Sequence, residues 1–405
     1  MSSAPDSPGT RIALARRRRG LSQSVVAGLV GRSESWLSQV ERGVRRIDSH
    51  AVLLRLATVL RVEVEELIGP GDGRQEIRRV YEPTAQIEQA MMRYHAVGAS
   101  ISRPQTGSNG RPEHLQAMAR TAYQSYQATR YEDTGRMLPP LIQQAEEASG
   151  AAGVGNPAMC AVRALVYDTA AALLNRVGEP TLAWAAADRS VSAAEQSGNP
   201  VLTAMCAWRL SYVIISHSHP GEALELAMSA ASALESGMRV PDLDSLSVYG
   251  ALHLAAATAA AAVYDRAATT RILGKAREIA DRTGDGNHMG TAFGHVNVSI
   301  HAIAAALQLG DPRTAIETGE ALNLAALHTG LTGRRAQLSL DLARAYAMRK
   351  RDAAAVNLLL TAERQSPQLV RYDARTRDVL TALLRREHRP STPELRPLAR
   401  RAGVI

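Results

Sequence analysis

Two short segments near the N-terminus carry the side chains best suited to contacting another molecule. Residues 21–43 predict two amphipathic helices joined at Gly31, with Ser22 and Ser33 placed to cap them. The inward positions of the second helix are Leu37 and Val40, which leaves one outer face to Glu34, Ser35, Trp36, Ser38 and Gln39. Carboxylates and hydroxyls can hydrogen-bond to DNA, and we expect Ser33, at the start of the second helix, to contact DNA as well. A helix pair of this size fits the major groove of DNA.

An excess of arginine surrounds this helix pair. Residues 10–50 contain nine Arg and three acidic residues, a net charge of +6, whereas the whole chain carries +8. A local basic block of this kind is the electrostatic footprint of a phosphate-binding surface. We expect phosphate contacts from arginines on both sides of the pair, namely Arg17, Arg18, Arg42, Arg45 and Arg46.

The composition favours an all-α protein. Apolar residues make up 45% of the 405 residues, but aromatic residues make up only 4%. Such a chain suits close helix packing better than β-sheets, which prefer aromatic and β-branched residues. Cys160 and Cys206 have no metal-type spacing and fit a reducing, cytoplasmic environment. We expect no signal peptide and no membrane span, because the apolar stretch near 251–263 falls short of the ~20 residues needed.

Breaks in the helical pattern divide the chain. The run Gly69-Pro70-Gly71-Asp72-Gly73 ends the N-terminal helices and marks a domain boundary. The first domain has predicted helices at 9–19, 22–30, 33–41, 49–60 and 63–68. The predicted organisation is a flexible tail at 1–8, a five-helix domain at 9–69, a linker with a short helix at 70–112, a helical array at 113–387 and a basic C-terminal tail at 388–405.

From residue 113 onward, two kinds of helix break recur in step. A small hydroxyl residue followed by Gly closes a helix at Ser149-Gly150, Ser197-Gly198, Ser236-Gly237, Thr283-Gly284 and Thr329-Gly330, and Ser366-Pro367 takes the same place once more. Tight turns lie between these stops, near Gly178, Pro220, Asp265, Asp311 and Asp352. Each repeat is therefore a helix, a tight turn and a second helix, and repeated hairpins of this length predict an α-solenoid.

Residues 9–68 resemble the Cro/C1-type (XRE) family of helix-turn-helix DNA-binding domains. The match rests on Arg16, Gly20, Leu21, Ser22, Gln23, Val26, Ala27, Gly31, Ser33, Leu37, Ser38, Glu41, Gly43, Leu53, Leu56, Ala57, Leu60, Val62 and Leu67. The resemblance implies that Gln23 contacts a phosphate and braces the recognition helix. It also implies that Glu34, Ser35 and Ser38 occupy base-edge positions, and that Arg16 and Glu41 form a structural ion pair. Trp36 has two interpretations: contact with a thymine methyl or sugar, or packing against the loop at 43–48.

The array is similar to tetratricopeptide (TPR) repeats. Small residues recur in the second helices, at Ala183, Ala223, Ala267, Ala315 and Ala355. In such a solenoid the first helix of each hairpin lines a concave face. Polar and aromatic pairs on these first helices are the candidate ligand contacts: Arg163 and Tyr167, Arg209 and Tyr212, Tyr249 and His253, and Asn297 and His301.

An XRE domain followed by TPR-like repeats resembles the peptide-responsive quorum-sensing regulators of Gram-positive bacteria. The resemblance implies a homodimer that binds double-stranded DNA and a signalling peptide, and a small-molecule effector is an equally open alternative. A further alternative is constitutive DNA binding, with the array docking a protein partner. We expect no enzyme activity, no cofactor and no metal site, because the chain has no phosphate-binding loop, His-Glu-x2-His or paired-Cys motif.

Overall fold

The computed structural model describes residues 8–43, 50–62, 66–67, 81–93, 112–152, 156–324, 330–388 and 390–405. All regular secondary structure in these residues is helical, which confirms the all-α prediction. They divide into two compact units, Met1–Val80 and Tyr81–Ile405. The predicted tail and the predicted fifth helix at 63–68 lie mostly outside the described residues, although the first helix already begins at Pro8.

The first unit is built on capped helices around a small core. Its described helices are α1 (Pro8–Arg18), α2 (Gln23–Leu29), α3 (Glu34–Glu41) and α4 (His50–Leu60). The hydroxyls of Ser22 and Ser33 cap α2 and α3, each accepting a backbone N–H at 3.2 Å. Gly31 has a φ of 69°, a left-handed conformation that glycine adopts without strain. Ile12 and Leu37 are fully buried at the centre, so the predicted inward face of α3 is confirmed.

The second unit is an array of helical hairpins. Its first three described helices are α5 (Thr84–Met92), α6 (Pro112–Gln127) and α7 (Tyr131–Ala152). Five hairpins follow: α8 (Pro157–Val177) with α9 (Pro180–Gln196), α10 (Pro200–Ser216) with α11 (Pro220–Gly237), α12 (Leu243–Ala262) with α13 (Arg266–Thr283), α14 (His295–Gln308) with α15 (Pro312–Glu320), and α16 (Thr332–Met348) with α17 (Asp352–Gln365). The chain ends with α18 (Pro367–Tyr372), α19 (Ala374–Leu384) and α20 (Leu395–Arg401).

The predicted breaks mark most of the observed turns. Gly178 and Gly310 end α8 and α14 with φ of 84° and 81°, and a proline starts α9, α11 and α15. Gly198, with a φ of 68°, follows the end of α9 as predicted. The predicted stop at Ser149-Gly150 is wrong by a few residues, because α7 continues to Ala152. Thr329 lies outside the described residues.

The structure corrects two predicted boundaries. Residues 81–93, which were expected to belong to a linker, pack into the second unit, where Tyr81 and Ile87 are fully buried. The expected basic tail at 388–405 contains α20, whose Leu395 and Leu398 are buried in the same core. The short helix predicted within the linker is present as α5, but it belongs to the second unit, and the predicted tail hides an apolar helix face among its charged residues.

Two helices of the array, α8 and α12, are by length and composition long and apolar enough to cross a membrane. The sequence-based argument that this apolar stretch is too short is therefore wrong for α12, which spans 20 residues. Burial accounts for their composition, because 72% and 89% of their apolar stretches lie inside the folded unit. A helix surrounded by other helices is apolar on all sides.

Candidate DNA-contacting helix and ligand cavity

The outer face of α3 is polar and accessible. Glu34 and Ser35 are exposed, and Ser38 and Gln39 are partly exposed. Leu37 and Val40, on the opposite face, are 0% and 2% exposed and anchor the helix in the core of the first unit. Ser33 is exposed at the start of the helix, where its hydroxyl is used for capping.

Trp36 does not share the outer face, so the expectation that it points outward is wrong. Its side chain is 8% exposed and belongs to the core cluster of the first unit. The Arg32 guanidinium lies 5.6 Å from the centre of the indole ring, a distance typical of a cation–π contact. Trp36, Leu37 and Val40 fall on one stripe of the helix, which explains why the large ring turns inward. The loop at 43–48, its proposed packing partner, lies almost wholly outside the described residues.

A buried network fixes the C-terminal end of α3 to α1 and α2. Arg16 Nε and Nη2 donate to the two carboxylate oxygens of Glu41 at 2.6 and 2.8 Å. Gln23 Nε2 donates to Glu41 Oε2 at 2.7 Å, and Arg16 Nη1 donates to the Leu21 carbonyl at 2.8 Å. Burial raises the pKa of Glu41, but the hydrogen bonds from Arg16 and Gln23 outweigh burial and lower it. The ion pair and the bracing role of Gln23 implied by the resemblance are both present.

The arginines expected to meet phosphates fall into two groups. Arg17 and Arg18, at the end of α1, and Arg42, just after α3, are exposed. Arg42 Nε donates to the Ser38 carbonyl at 3.3 Å, which leaves its other nitrogens toward solvent. Arg45 and Arg46 lie outside the described residues.

A cavity of about 440 Å³ lies within the second unit. It is lined by five of the chain's 11 tyrosines and one of its three tryptophans, although aromatic residues are only 4% of the chain. These aromatic residues are Tyr123, Tyr126, Tyr131, Trp208, Tyr212 and Tyr372. Both the volume and the aromatic lining are typical of small-molecule sites, which measure roughly 300–1,000 Å³.

One wall of the cavity is a buried ion pair. Arg209 donates to both carboxylate oxygens of Asp168, at 3.2 and 3.4 Å, and to the Tyr123 hydroxyl at 3.0 Å. Burial lowers the pKa of Arg209, but Asp168 and Tyr123 more than offset burial, so the pKa lies above its ordinary value. Arg209 is therefore charged but already neutralised by its neighbour.

A loop between α13 and α14 closes part of the cavity rim. The Tyr123 hydroxyl and Gln127 Nε2 each donate to the Gly290 carbonyl at 2.8 Å. Gln127 also exchanges hydrogen bonds with the Asn287 side chain, at 2.9 and 3.2 Å. Gly290 has a φ of 70° and leaves no room for a Cβ beside the Tyr123 ring. These contacts tie the loop to α6 across a sequence separation of about 160 residues.

The cavity wall also contains a neutral histidine, His301. His301 Nδ1 lies 2.8 Å from the Asn297 carbonyl, so it carries the proton, and Nε2 accepts from the Tyr212 hydroxyl at 2.9 Å. Burial, with a further contribution from Arg334, lowers the pKa of His301 to about 3. This side chain therefore contributes a hydrogen-bond acceptor and no charge near neutral pH.

The structure brings together three of the eight predicted ligand residues. Arg209, Tyr212 and His301 line the cavity. The other five are used for packing or internal hydrogen bonds, as follows. Arg163 and Tyr167 both donate to Glu146 Oε1, at 3.0 and 2.9 Å. The Tyr249 and His253 rings contact each other edge to face, and Asn297 is 2% exposed outside the cavity lining.

Position along the first helices explains this division. The cavity is lined by the later parts of α8, α10 and α12, and the predicted pairs on α8 and α12 lie nearer the N-terminal ends. Sequence reasoning missed Tyr123, Tyr126 and Tyr131 because they precede the recognised hairpins. Three tyrosines within nine residues of an aromatic-poor chain are the signal that could have revealed them. Within the described residues, no group of three or more His, Cys, Asp or Glu side chains could hold a metal ion.

Comparison with known proteins agrees with the first unit's structure. Residues 9–67 match the family model described as a helix-turn-helix domain, and the first unit is such a domain. Among solved structures, the chain is similar to Bacillus thuringiensis PlcR in complex with the peptide PapR7 and DNA. The identity is 12%, the match covers 87% of this chain and 99% of that chain, and the TM-score is 0.38. No curated protein matches the sequence.

Proposed function

We propose that this protein is a sequence-specific DNA-binding transcription regulator whose helical array binds an effector in the cavity. The observation that carries the proposal is the division of α3 into two faces. Glu34 and Ser35 are exposed, while Leu37 and Val40 are buried and the Arg16–Glu41 pair fixes the end of the helix. A helix so anchored presents a preorganised polar face to a duplex.

In this proposal the exposed face of α3 contacts base edges. Glu34 accepts a hydrogen bond from a cytosine amino group, and Ser35 and Ser38 contact either base type. Gln23 and the exposed arginines, Arg17, Arg18 and Arg42, contact phosphates and set the register of the helix. Arg45 and Arg46 remain predicted phosphate contacts on sequence grounds.

Specific binding calls for two copies of the domain. A single module of this size buries only about 600–1,000 Å² on DNA, and two-fold dimers contact half-sites about 34 Å apart. We therefore propose a homodimer acting in the cytoplasm, where the free, buried thiols of Cys160 and Cys206 would stay reduced. Sedimentation equilibrium of the full chain, with and without a palindromic duplex, tests the dimer.

In this proposal, binding of the effector and binding of DNA are thermodynamically linked. An effector changes operator affinity only by its different affinity for two conformations of the array. The cavity is lined by residues of α6, α7, α8, α10, α12, α14, α16, α18 and α19, so one bound molecule contacts several hairpins and can favour one arrangement of them. The effector is a small molecule or a signalling peptide, as in quorum-sensing regulators.

The test of DNA recognition is selection of bound sequences from random duplexes by the full chain. A single enriched motif is expected, and the S35A/S38A double variant should lose preference at one or two positions by about tenfold each. The matched control is S232A/S236A, which removes two exposed hydroxyls from α11. No enriched motif, or an identical motif for S35A/S38A, would contradict sequence-specific recognition by α3.

A further inference from the structure

Three arginines that line the cavity form no salt bridge with a described carboxylate. Arg176, Arg334 and Arg377 make no ion pair within 4.0 Å in the part of the chain that the structure describes. Arg176 is hydrogen-bonded to the Gln337 amide oxygen at 3.5 Å and to the Tyr126 side chain, and neither partner is a carboxylate. The other two lining arginines differ, since Arg209 is paired with Asp168 and Arg375 lies 3.7 Å from Asp373.

The two lining carboxylates, Asp373 and Asp341, offset only part of the positive charge of the lining arginines. Asp373 caps α19, accepting from the Thr376 backbone and hydroxyl at 3.0 and 2.9 Å. Asp341 accepts from Gln337 at 3.2 Å, and burial raises its pKa to about 6. Five arginines line the cavity, whereas three carboxylates lie in or beside its lining, those of Asp168, Asp341 and Asp373, so an excess of positive charge remains near neutral pH.

The pKa of Tyr126 reflects this excess of positive charge. Burial raises the pKa of a tyrosine, yet Arg176, Arg209 and Arg334 together lower the pKa of Tyr126 below its ordinary value. Buried cations that outnumber the neighbouring carboxylates are unfavourable unless a further anion binds beside them. An arginine is also the side chain best matched to carboxylate and phosphate groups, because its planar donors bind two oxygens at once.

The side chain next to Arg176 in the sequence, that of Asn175, has an oxygen without a hydrogen-bond partner among the described residues. Asn175 lines the same cavity, and its side-chain oxygen is shielded from solvent and accepts no hydrogen bond from any described residue. A buried acceptor without a donor is unfavourable, so an occupant with a hydroxyl or N–H group fits this position.

We propose that the cavity binds a small organic anion: a carboxylate or phosphate held by Arg334 and Arg176, on an aromatic body packed among the tyrosines, with a hydrogen-bond donor for Asn175. This inference rests on the proposed function in taking the cavity as the effector site. The volume of about 440 Å³ limits the occupant to a small molecule or to the C-terminal residues of a peptide. Both sources present the same chemistry, a carboxylate beside an apolar body.

Calorimetric titration of the full chain with matched probes tests the proposal. The anions are 4-hydroxyphenylacetate and phenyl phosphate, and the counterparts are the neutral 4-hydroxyphenylacetamide and the cationic tyramine. At least one anion should bind about tenfold or more tightly than both counterparts. R334A and R176A should each weaken anion binding by about tenfold or more, because a charge-assisted hydrogen bond is lost.

The control is R271A, which removes an exposed arginine of α13 outside the cavity lining. Circular dichroism checks folding, and R334K serves if R334A is unstable.

A tetrapeptide pool with free C-termini, compared with the amidated pool, distinguishes the sources: tight binding of the free pool alone assigns the anion to a peptide. Equal binding of neutral and anionic probes, anion affinity unchanged in both R334A and R176A, or no anion binding at millimolar concentration overturns the proposal. DNA is absent, so failure of DNA recognition leaves this result unaffected.

Discussion

The Arg16 guanidinium donates to both carboxylate oxygens of Glu41, and the pair joins α1 to the end of α3. The side chains are 11% and 5% exposed, so water competes little for these hydrogen bonds. Gln23 from α2 donates to the same carboxylate, which makes Glu41 the point where three helices meet. The orientation of the exposed face of α3 therefore depends on one carboxylate.

Replacing Arg16 should destabilise the first unit selectively. R16M leaves the buried Glu41 carboxylate without its main partner, and we expect a loss of about 2 kcal/mol. Urea unfolding can be followed by the fluorescence of Trp36 in a W184F/W208F background, because Trp36 lies in the core of this unit. R55M, which changes an exposed arginine of α4, should alter stability by about 0.5 kcal/mol or less. Equal midpoints for R16M and R55M would contradict a structural role for the pair.

Acid should weaken the first unit through Glu41. The folded-state pKa of Glu41 is lowered, so its contribution to stability is present above the pKa of an unfolded glutamate, about 4.3. The contribution is lost as the pH falls through the lower, folded value. We expect the urea midpoint of the wild type to fall more steeply below about pH 4.3 than that of E41Q, which cannot ionise at this position. Parallel pH curves for the two proteins would show that Glu41 does not titrate in this way.

Exposed arginines should govern the salt dependence of DNA binding. Removing one phosphate contact reduces the slope of log affinity against log salt by about 0.9 on duplex DNA. We expect this change for R42A, with the preferred sequence retained, when binding of the selected duplex is measured by fluorescence anisotropy over a range of salt. R55A, on α4, is the control with the same change in charge. An unchanged slope for R42A would place Arg42 away from the DNA backbone.

The buried pair in the cavity wall should be sensitive to loss of either partner. D168N leaves Arg209 buried beside a neutral amide, and we expect a loss of about 3–5 kcal/mol in the stability of the second unit. The double variant D168L/R209M should lose much less, because no buried charge remains. D188N, at an exposed position of α9, is the control. Thermal unfolding of the variants is followed by circular dichroism. Equal transition temperatures for D168N and D188N would contradict the expected destabilisation.

Replacement by alanine should have opposite effects on the stability of the second unit at two helical glycines. A Cβ on Gly250 of α12 would overlap the ring of Phe293, whereas a Cβ on Gly274 of α13 meets nothing within 4 Å. We expect G250A to destabilise the second unit by about 1–3 kcal/mol through overpacking. G274A should stabilise it by up to about 1 kcal/mol, because alanine favours the helix. The transition temperatures of the two variants give the comparison, and a shift of the same sign in both would refute the role of close packing at Gly250.

The helix-turn-helix could be predicted because its determinants are local. Ser22 and Ser33 cap helices that begin next to them, Gly31 makes a turn within three residues, and Leu37 and Val40 follow helical spacing. Trp36 was harder, since a residue at the edge of an apolar stripe faces inward or outward according to the space available in the core. The packing of other helices sets that space, so the spacing of apolar residues within one helix does not predict it.

The sequence by itself determined the helices, the hairpin turns and the basic N-terminal block, because caps, glycines, prolines and apolar spacing act over a few residues. Only the tertiary structure decided which side chains share the cavity. Tyr123 of α6, Arg209 of α10, His301 of α14 and Arg334 of α16 are far apart in the chain and meet because successive hairpins curve around one space. Curvature arises from the sum of small packing angles between neighbouring helices, and no single segment of the sequence specifies it.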